Sequence, residues 1–330
     1  MTALMPDQEP TPDFDERATS ILRRWQRGEL PFKQAVEMMN DLEREAVSSG
    51  LPCNQGRVEL LLGVMQGYRA NLDASVRHFE RARNLFERAG NRKRAVGALL
   101  NLGESYRQKG DFTRARQLFH TAFEAAESLD DKLTQANAAC NEGLIFLSME
   151  RYDSARAMLN KAVHLAEQAA DETTDPRPLL CEIYHGLVSV SLRTDDLEDA
   201  WSYALQSHYI AQQIGQPLLL GFANRAMGEA LSALLNVPRS AEDTVVYPVT
   251  DKDPDDYFRA ASDAFQEIKA EGELARTMYA QANSLVGRGR AMMAARKLQQ
   301  AMIIFTRLGM SDDAAKAAHA QMAALANTGG

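Results

Sequence analysis

Apolar and small residues recur along this chain in a pattern that repeats every 40 positions. Gly63, Gly103 and Gly143 set its phase. A bulky apolar residue stands nine positions after each glycine, a small residue twelve after, a large residue sixteen after and an alanine nineteen after. In the middle copy these residues are Phe112, Ala115, Phe119 and Ala122. Because a spacing of three or four residues marks one face of a helix, each copy is predicted to contain two helices.

The two helices of each copy are expected to form an antiparallel hairpin. Small residues at the glycine position and at the next small position allow a close approach, and the large residue is expected to fill the space between one hairpin and the next. Gly110 and Asp111 predict a left-handed glycine that ends the first helix and an aspartate that caps the second. The pattern therefore predicts an all-α repeat protein in which each hairpin packs mainly on its neighbours.

The same phase extends in both directions with growing irregularity. An N-terminal copy has Arg23 in the glycine position, and a later copy is centred on either Val188 or Gly186. Gly228 opens a further copy whose second helix, marked by Tyr257 and neighbouring residues, is expected about twenty residues late. The predicted organisation has about seven helix pairs plus a cap: a disordered tail at 1–12, regular repeats at 13–170, irregular repeats at 171–310 with an inserted loop at 236–255, and a capping helix at 311–327.

Composition narrows the class of function. The net charge of −8 disfavours nucleic acid as a partner, because phosphate binding needs clustered Lys and Arg. Apolar runs are far shorter than the roughly 20 residues that span a bilayer, and the acidic, proline-rich start does not fit a secretory signal, so we expect a cytoplasmic protein without membrane contact. Three scattered cysteines fit a reducing compartment. Because no catalytic or nucleotide-binding motif occurs, we expect neither enzymatic activity nor a cofactor.

Residues 99–106 (LLNLGESY), together with Gly110, Phe112 and Phe119, resemble the tetratricopeptide-repeat family, and weaker matches extend over residues 18–325. The resemblance implies a right-handed superhelical solenoid of antiparallel hairpins. Two subgroups are also similar. Asn-Leu-Gly in a 40-residue repeat resembles kinesin-light-chain-like adaptors, and residues 301–310 (AMIIFTRLGM) resemble repeats of MalT-type bacterial regulators, which implies a bacterial signalling context.

In this family the first helix of each pair lines a groove that binds partner segments, and the residues around the glycine reach into it. On this chain the resemblance places eight residues in the groove: Arg57, Asn101, Glu104, Arg107, Asn141, His185, Arg225 and Glu229. Asn101 and Asn141 each stand two positions before a glycine and are expected to form a ladder along the groove. A side-chain amide both donates to and accepts from a peptide backbone, so the ladder would hold an extended segment. The alternative is that both asparagines bond neighbouring repeats.

Two functions are compatible with this pattern. The first is a protein-interaction scaffold that binds a partner segment, with Arg57, Arg107 and Arg225 selecting acidic side chains. The second is a regulatory module of a bacterial signalling or transcription system that responds to a ligand or peptide. The partner is expected to be a protein or peptide, and self-association into a homo-oligomer stays open.

Two other features are candidate sites. In the inserted loop, Val245, Val246 and Tyr247 are β-branched or aromatic and could contact a partner, although a tolerated surface loop is the alternative. Cys181 and His185 share one helical face, four residues apart, as metal ligands can. Two loosely placed ligands do not make a site, and we expect no metal.

Overall fold

The computed structural model describes residues 9–26, 29–170, 174–237 and 250–326, and within these ranges the chain forms fifteen α-helices and no β-strand. The all-α class is confirmed. The helices are α1 Pro12–Gln26, α2 Phe32–Ser49, α3 Pro52–Tyr68, α4 Leu72–Arg88, α5 Arg92–Gln108, α6 Phe112–Ser128, α7 Lys132–Ser148, α8 Tyr152–Gln168, α9 Arg177–Arg193, α10 Leu197–Ile214, α11 Pro217–Leu235, α12 Pro254–Glu267, α13 Glu271–Gly287, α14 Ala291–Arg307 and α15 Ser311–Ala326.

The chain divides into two compact units, Met1–Pro176 and Arg177–Gly330. Unit 1 holds helices α1 to α8 and unit 2 holds helices α9 to α15. Within each unit, consecutive helices pack as antiparallel neighbours, so an odd-numbered first helix and the following even-numbered second helix form each hairpin. The last helix, α15, packs on α14 as the first helix of a further pair would.

Glycine allows the two helices of a pair to pack closely in unit 1. A Cβ atom added at Gly103 would lie 2.6 Å from the ring of Phe119, and one added at Gly63 would lie 2.6 Å from the ring of Phe79. The large residue was expected between hairpins. The structure instead places its side chain directly on the glycine of its own hairpin, because only a residue without Cβ leaves room for the ring there.

We therefore expect opposite effects from two alanine substitutions in α5. Gly103→Ala should destabilise the protein by about 1–2 kcal/mol, since overpacking against Phe119 outweighs the better helix propensity of alanine. Gly97→Ala should stabilise it by up to about 1 kcal/mol, because a methyl group at Gly97 would meet no atom within 4 Å. Urea unfolding followed by circular dichroism measures both changes. Equal shifts in the same direction would contradict this packing.

The first hairpin of unit 2 resolves the register left open by the sequence. Val188 is fully buried and stands nine residues before the start of α10 at Leu197, just as Gly103 stands nine residues before the start of α6 at Phe112. The repeat is therefore centred on Val188 and not on Gly186. A buried valine replaces the glycine in this pair.

The α11/α12 pair repeats the glycine–phenylalanine packing despite the insertion. Added Cβ atoms would lie 2.6 Å from the Phe265 ring at Gly221 and 3.0 Å from the Phe258 ring at Gly228. The residue facing Gly228 is thus Phe258, thirty positions later, whereas Phe79 follows Gly63 by sixteen. The second helix arrives fourteen residues late, fewer than the roughly twenty expected from Tyr257.

The turn between first and second helices is confirmed where it was predicted. Gly110 has a φ of +79°, and the Asp111 side chain accepts a hydrogen bond of 3.1 Å from the backbone N–H of Arg114. Non-glycine residues hold the same left-handed conformation at corresponding turns, including Ala70 and Glu150. A glycine in the turn before the second helix is therefore present in only some of the repeats.

Helix α12 starts with a capping box. The Asp253 carboxylate accepts hydrogen bonds from the backbone N–H groups of Asp255 and Asp256, and Asp256 accepts one from the backbone N–H of Asp253. The Asp255 carboxylate is held 2.9 Å from the guanidinium of Arg288, the residue that follows α13. The insertion therefore ends at a helix start that is fixed by its cap and by an ion pair to the next hairpin.

Helix α11, Pro217–Leu235, is the one helix among the described residues that is long and apolar enough to cross a membrane. Its 18-residue window has a mean hydropathy of 1.2, and 67% of that window is buried inside the protein. Core helices share these properties, so this helix is weak evidence for a membrane span.

Candidate partner-binding site

The first helices form the inner layer of each unit. In unit 1, α3 contacts α5 and α5 contacts α7; in unit 2, α9 contacts α11, α11 contacts α13, and α13 contacts α15. No comparable packing joins the second helices among the described residues. All eight predicted groove residues lie on first helices: Arg57 on α3, Asn101, Glu104 and Arg107 on α5, Asn141 on α7, His185 on α9, and Arg225 and Glu229 on α11. We refer to these surfaces as the first-helix faces of unit 1 and unit 2.

The two asparagines of unit 1 bond within their own helices. The Asn101 amide donates to the backbone carbonyl of Gly97 over 2.9 Å. The Asn141 amide donates to the backbone carbonyl of Asn137 over 3.1 Å and to the Asn137 side-chain oxygen over 2.7 Å. Neither bonds a neighbouring repeat within the described chain, and both amides are half-buried. Their side-chain oxygens accept no hydrogen bond from a described residue, which leaves them able to accept one from a ligand.

The charged residues of this face are paired inside the protein. Arg107 donates to Glu104 over 2.6 and 2.7 Å. Arg57 donates to the Asp15 carboxylate on α1 and, over 3.0 Å, to the Thr19 hydroxyl. An acidic ligand would have to compete with these partners, so the structure does not present Arg57 and Arg107 as uncommitted cations.

A chain of ion pairs crosses the first-helix face of unit 2. Arg225 on α11 lies 2.8 Å from Glu273 on α13, which lies 2.6 Å from Arg276 one turn later. Arg276 in turn reaches Asp313 on α15 over 3.1 Å. Burial alone would raise the pKa of Glu273, but Arg276 and Arg225 outweigh it and lower that pKa to about 2. The same carboxylates raise the pKa of Arg276 despite its burial. Glu273 is therefore held as a carboxylate between two guanidinium groups.

His185 lies at one end of this chain as a neutral imidazole. Its Nε2 is 3.5 Å from the Arg225 guanidinium, and its ring centroid is 5.3 Å from that of Phe222. Burial lowers the pKa of His185 to about 3, and the positive charge of Arg225 adds to the effect, while Glu273 opposes it. The structure thus brings together His185 and Arg225, two of the predicted groove residues.

Unlike the other charged groove residues, Glu229 is not paired with a described residue. It stands four residues after Arg225 on α11, so both side chains lie on the same helical face. Burial raises the pKa of Glu229, although Arg225 and Arg193 oppose the shift. No described residue forms a hydrogen bond or ion pair with it. Glu229 is a half-buried carboxyl group without a hydrogen-bond donor among the described residues.

Cys181 and His185 do not form a shared site. The Cys181 thiol is fully buried, lies 3.2 Å from the Ser207 hydroxyl, and has its pKa raised to about 11 by burial. Within the described ranges no group of three or more His, Cys, Asp or Glu side chains could hold a metal ion. A fully buried thiol with a raised pKa is a packing residue and a poor nucleophile.

Sequence reasoning missed three residues of the unit 2 cluster: Glu273, Arg276 and Asp313. One signal was available. Arg276 stands six positions before Ala282, which holds the glycine position of its repeat, just as Arg57 stands six positions before Gly63. The offset that places Arg57 in the groove would therefore have predicted Arg276 as well. Glu273 and Asp313 lie near the starts of their helices, outside the window around the glycine position. The inserted-loop candidates Val245, Val246 and Tyr247 lie outside the described residues.

Part of the chain matches a known protein family. The sequence profile of the tetratricopeptide repeat matches residues 94–168, which include α5 to α8. This match supports the tetratricopeptide-repeat resemblance over that part of the chain. The kinesin-light-chain-like and MalT-type resemblances are not confirmed by this match, and a comparison with curated proteins gives no sequence match.

Several solved structures share the fold. Aspartyl phosphate phosphatase F from Bacillus subtilis aligns with a TM-score of 0.66 at 12% identity, covering 88% of this chain and 69% of that one. A Rap protein complexed with Competence and Sporulation Factor aligns at 0.60 and 12%, covering 96% and 88%. The apo quorum sensor NprR from B. thuringiensis aligns at 0.53 and 13%, covering 95% and 88%. Identities this low show a common fold alone. Because one of these proteins is a phosphatase, the absence of enzymatic activity in this chain stays a prediction.

Proposed function

We propose that this protein is an interaction scaffold that binds an extended segment of a partner protein on its first-helix faces. The tetratricopeptide-repeat match and a fold shared with a Rap protein complexed with Competence and Sporulation Factor support this general role. The inner position of the first helices supports the location, because adjacent first helices present polar side chains along one continuous layer in each unit. We place the binding in the cytoplasm, as the composition indicates.

The proposal rests on the Glu229 carboxyl group, which accepts no hydrogen bond from a described residue. A half-buried carboxyl group that accepts no hydrogen bond from the protein can accept one from a ligand, and that bond strengthens as the ligand excludes water. A backbone N–H or a basic side chain of a bound segment would do so. Arg225 is ion-paired to Glu273 over 2.8 Å and leaves Glu229 without a hydrogen bond. The unit 2 face therefore favours a donor at this point of the ligand, in place of the acidic side chain that Arg225 was expected to select.

Unit 1 contributes through Asn101 and Asn141. Their uncommitted oxygens stand one repeat apart and would accept backbone N–H groups of an extended segment whatever its sequence. The amide groups remain anchored by the bonds to their own helices, so little side-chain entropy would be lost on binding.

We expect Glu229→Gln to weaken partner binding by at least about tenfold, because charge-assisted hydrogen bonds contribute more than neutral ones. Peptides would be selected from a phage-displayed random library against the full chain, and the affinities of synthetic binders measured by isothermal titration calorimetry. Glu198→Gln, an exposed substitution of the same type on second helix α10, is the matched control. Unchanged affinity of the Glu229→Gln variant for every selected binder would argue against the unit 2 face.

The same binders test unit 1 through the double variant Asn101→Ala with Asn141→Ala. Loss of affinity with an unchanged helical circular dichroism spectrum assigns a binder to that face. Retained affinity in both this variant and Glu229→Gln would rule out binding at the first-helix faces.

A second candidate is a peptide-responsive regulatory module. The shared fold with a quorum sensor and with a Rap protein complexed with a factor favours it. The ion-pair chain from Arg225 to Asp313 joins α11, α13 and α15, so a ligand that breaks it would alter how these helices pack. Small-angle scattering of the full chain with and without a selected peptide separates the two candidates: a changed profile favours regulation, and an unchanged profile with retained binding favours a passive scaffold.

A further inference from the structure

The segment that precedes α1, residues 9–11, lies across the N-terminal ends of two first helices of unit 1. The Glu9 carboxylate accepts hydrogen bonds from the Asn91 amide over 2.9 Å and from the Arg94 guanidinium over 2.6 Å, both at the start of α5. The backbone N–H of Thr11 donates to the Asn54 side-chain oxygen on α3 over 3.1 Å. Pro10 between them is buried. We call residues 9–11 the strap.

The residues that hold the strap resemble a built recognition site. Asn54 and Asn91 are 4% and 1% exposed, so their amides are fixed in place before any contact is made. Asn91 also caps α5 by accepting a hydrogen bond from the backbone N–H of Arg94, which orients its amide donor towards Glu9. The carboxylate of Glu9 thus meets a helix N-terminus, a guanidinium and a side-chain amide together.

The spacing of the site follows the repeat. Asn54 and Arg94 are 40 residues apart and occupy the same position in successive repeats, nine residues before Gly63 and Gly103. The strap therefore runs along the direction of the repeats, contacting one first helix through its backbone and the next through an acidic side chain. This combination, backbone contact plus one charged anchor, is how extended peptides are recognised.

Cys53 lies directly beneath this contact. Its side chain is 2% exposed, and its sulfur is 4.0 Å from the Asn91 amide that holds Glu9. Burial raises the pKa of Cys53 to about 11, so the thiol is unreactive while it is covered. Cys53 is therefore a natural reporter of whether the strap is in place.

We propose that Asn54, Asn91 and Arg94 form a second recognition site, for an extended acidic segment with a glutamate followed by proline, and that the strap fills this site in cis until such a segment of a partner protein replaces it. The strap itself shows which ligand fits the site. Asn91 and Arg94 bind a carboxylate, Asn54 accepts a hydrogen bond from a backbone N–H, and a proline ring is buried between these contacts. The site lies at the N-terminal ends of α3 and α5, one turn from Arg57, and its occupation by the strap does not depend on binding at Glu229.

The strap and a partner segment compete for the same site, so the measured affinity of a free peptide depends on whether the strap is anchored. A strap that directly precedes α1 has an effective concentration in the millimolar range, so a free peptide binds the unaltered chain weakly. Glu9→Ala removes both side-chain anchors of the strap while leaving Asn54, Asn91 and Arg94 intact. Because Glu9 is exposed at the surface, this variant is expected to fold.

The probe is a fluorescein-labelled synthetic peptide with the sequence of residues 7–15 (DQEPTPDFD), titrated by fluorescence anisotropy against the full chain. Glu9→Ala should bind it at least about tenfold more tightly than the unaltered protein. Adding Arg94→Gln should abolish the gain, whereas adding Arg88→Gln, an exposed substitution of the same type on α4, should not. A peptide with glutamine in place of its single glutamate should bind Glu9→Ala as weakly as the original peptide binds the unaltered protein.

Thiol labelling with N-ethylmaleimide, read by peptide mass spectrometry, gives the second readout. Glu9→Ala should increase the labelling rate of Cys53 at least about tenfold relative to Cys140 and Cys181, which are also buried, and saturating peptide should restore protection. Equal labelling rates of Cys53 in both proteins, parallel acceleration at all three cysteines, or peptide affinity that is unaffected by Arg94→Gln would each overturn the proposal.

Discussion

Phe119→Ala is expected to lower the free energy of unfolding by about 3–5 kcal/mol, the typical cost of removing a buried aromatic ring. Phe119 is 1% exposed, and its ring supplies the atoms nearest to the Cα of Gly103 on the side where a Cβ would project. The glycine cannot close the resulting cavity, because it has no side chain that could move into the space. Helices α5 and α6 would lose the contact that holds them together as a hairpin. The neighbouring repeats that pack on this hairpin would lose stability as well.

Urea unfolding of the full chain, followed by circular dichroism, measures the effect. The matched control is Phe123→Ala on the same helix, where the ring is only partly buried and the expected loss is smaller. Equal losses for the two variants would mean that the glycine contact contributes no special stability. Gly103→Ala and Phe119→Ala together should cost less than the sum of the single changes, because the added methyl group partly fills the space that the ring has left.

His185 is expected to make unit 2 sensitive to mild acid. Its pKa is about 3 in the folded protein against 6.5 for an ordinary histidine, so the unfolded chain binds a proton more readily between these values. Stability should therefore be constant above pH 6.5 and fall as the pH decreases towards 3. Between pH 6.5 and 4.5 the loss from His185 is on the order of 2 kcal/mol. His185→Phe, which keeps a ring beside Phe222, should remove this part of the pH dependence.

Other groups of unit 2 also titrate, and the comparison of variants isolates His185 from them. Burial lowers the pKa of His208, which acts in the same direction, while the raised pKa of Glu229 acts in the opposite one. Glu273, with a pKa of about 2, contributes stability that is lost only below its ordinary value of 4.5. Urea unfolding at a series of pH values gives the slopes. His319→Gln, an exposed change on α15, should keep the slope of the unaltered protein, and an equally steep slope for His185→Phe would refute the prediction.

The fold of this protein could be predicted from periodicity because its repeats satisfy a simple local rule. Glycine and a large apolar residue sixteen positions apart mark two helices that must pack closely, and the rule held from Gly63, which faces Phe79, to Gly143, which faces Leu159. It left the register open between Val188 and Gly186, since a buried valine is not distinctive in a sequence rich in apolar residues. The second helix after Gly228 was found but misplaced, because Tyr257 and Phe258 are adjacent and both aromatic.

The candidate site was less predictable. The repeat offset placed all eight candidate residues on first helices, but it gave no information about their partners. Arg57 and Arg225 have carboxylates on other helices, at Asp15 and Glu273, and these contacts depend on how distant parts of the chain pack. The same holds for the strap, whose anchors Asn91 and Arg94 are more than eighty residues from Glu9 in sequence.

The spacing between Gly228 and Phe258 has a consequence for how this chain tolerates change. The connection is nearly twice the sixteen-residue spacing of the regular repeats, yet the same ring-on-glycine contact forms. The loop between α11 and α12 has 18 residues against three between α5 and α6, and lengthening a closing loop sixfold costs about 1.6 kcal/mol of entropy, less than a buried aromatic ring contributes. Side-chain fit, and not loop length, therefore decides which helices pair. The position after Leu235 is one where evolution or an engineer can add sequence, such as a tag or a reporter domain, at little cost to the neighbouring repeats.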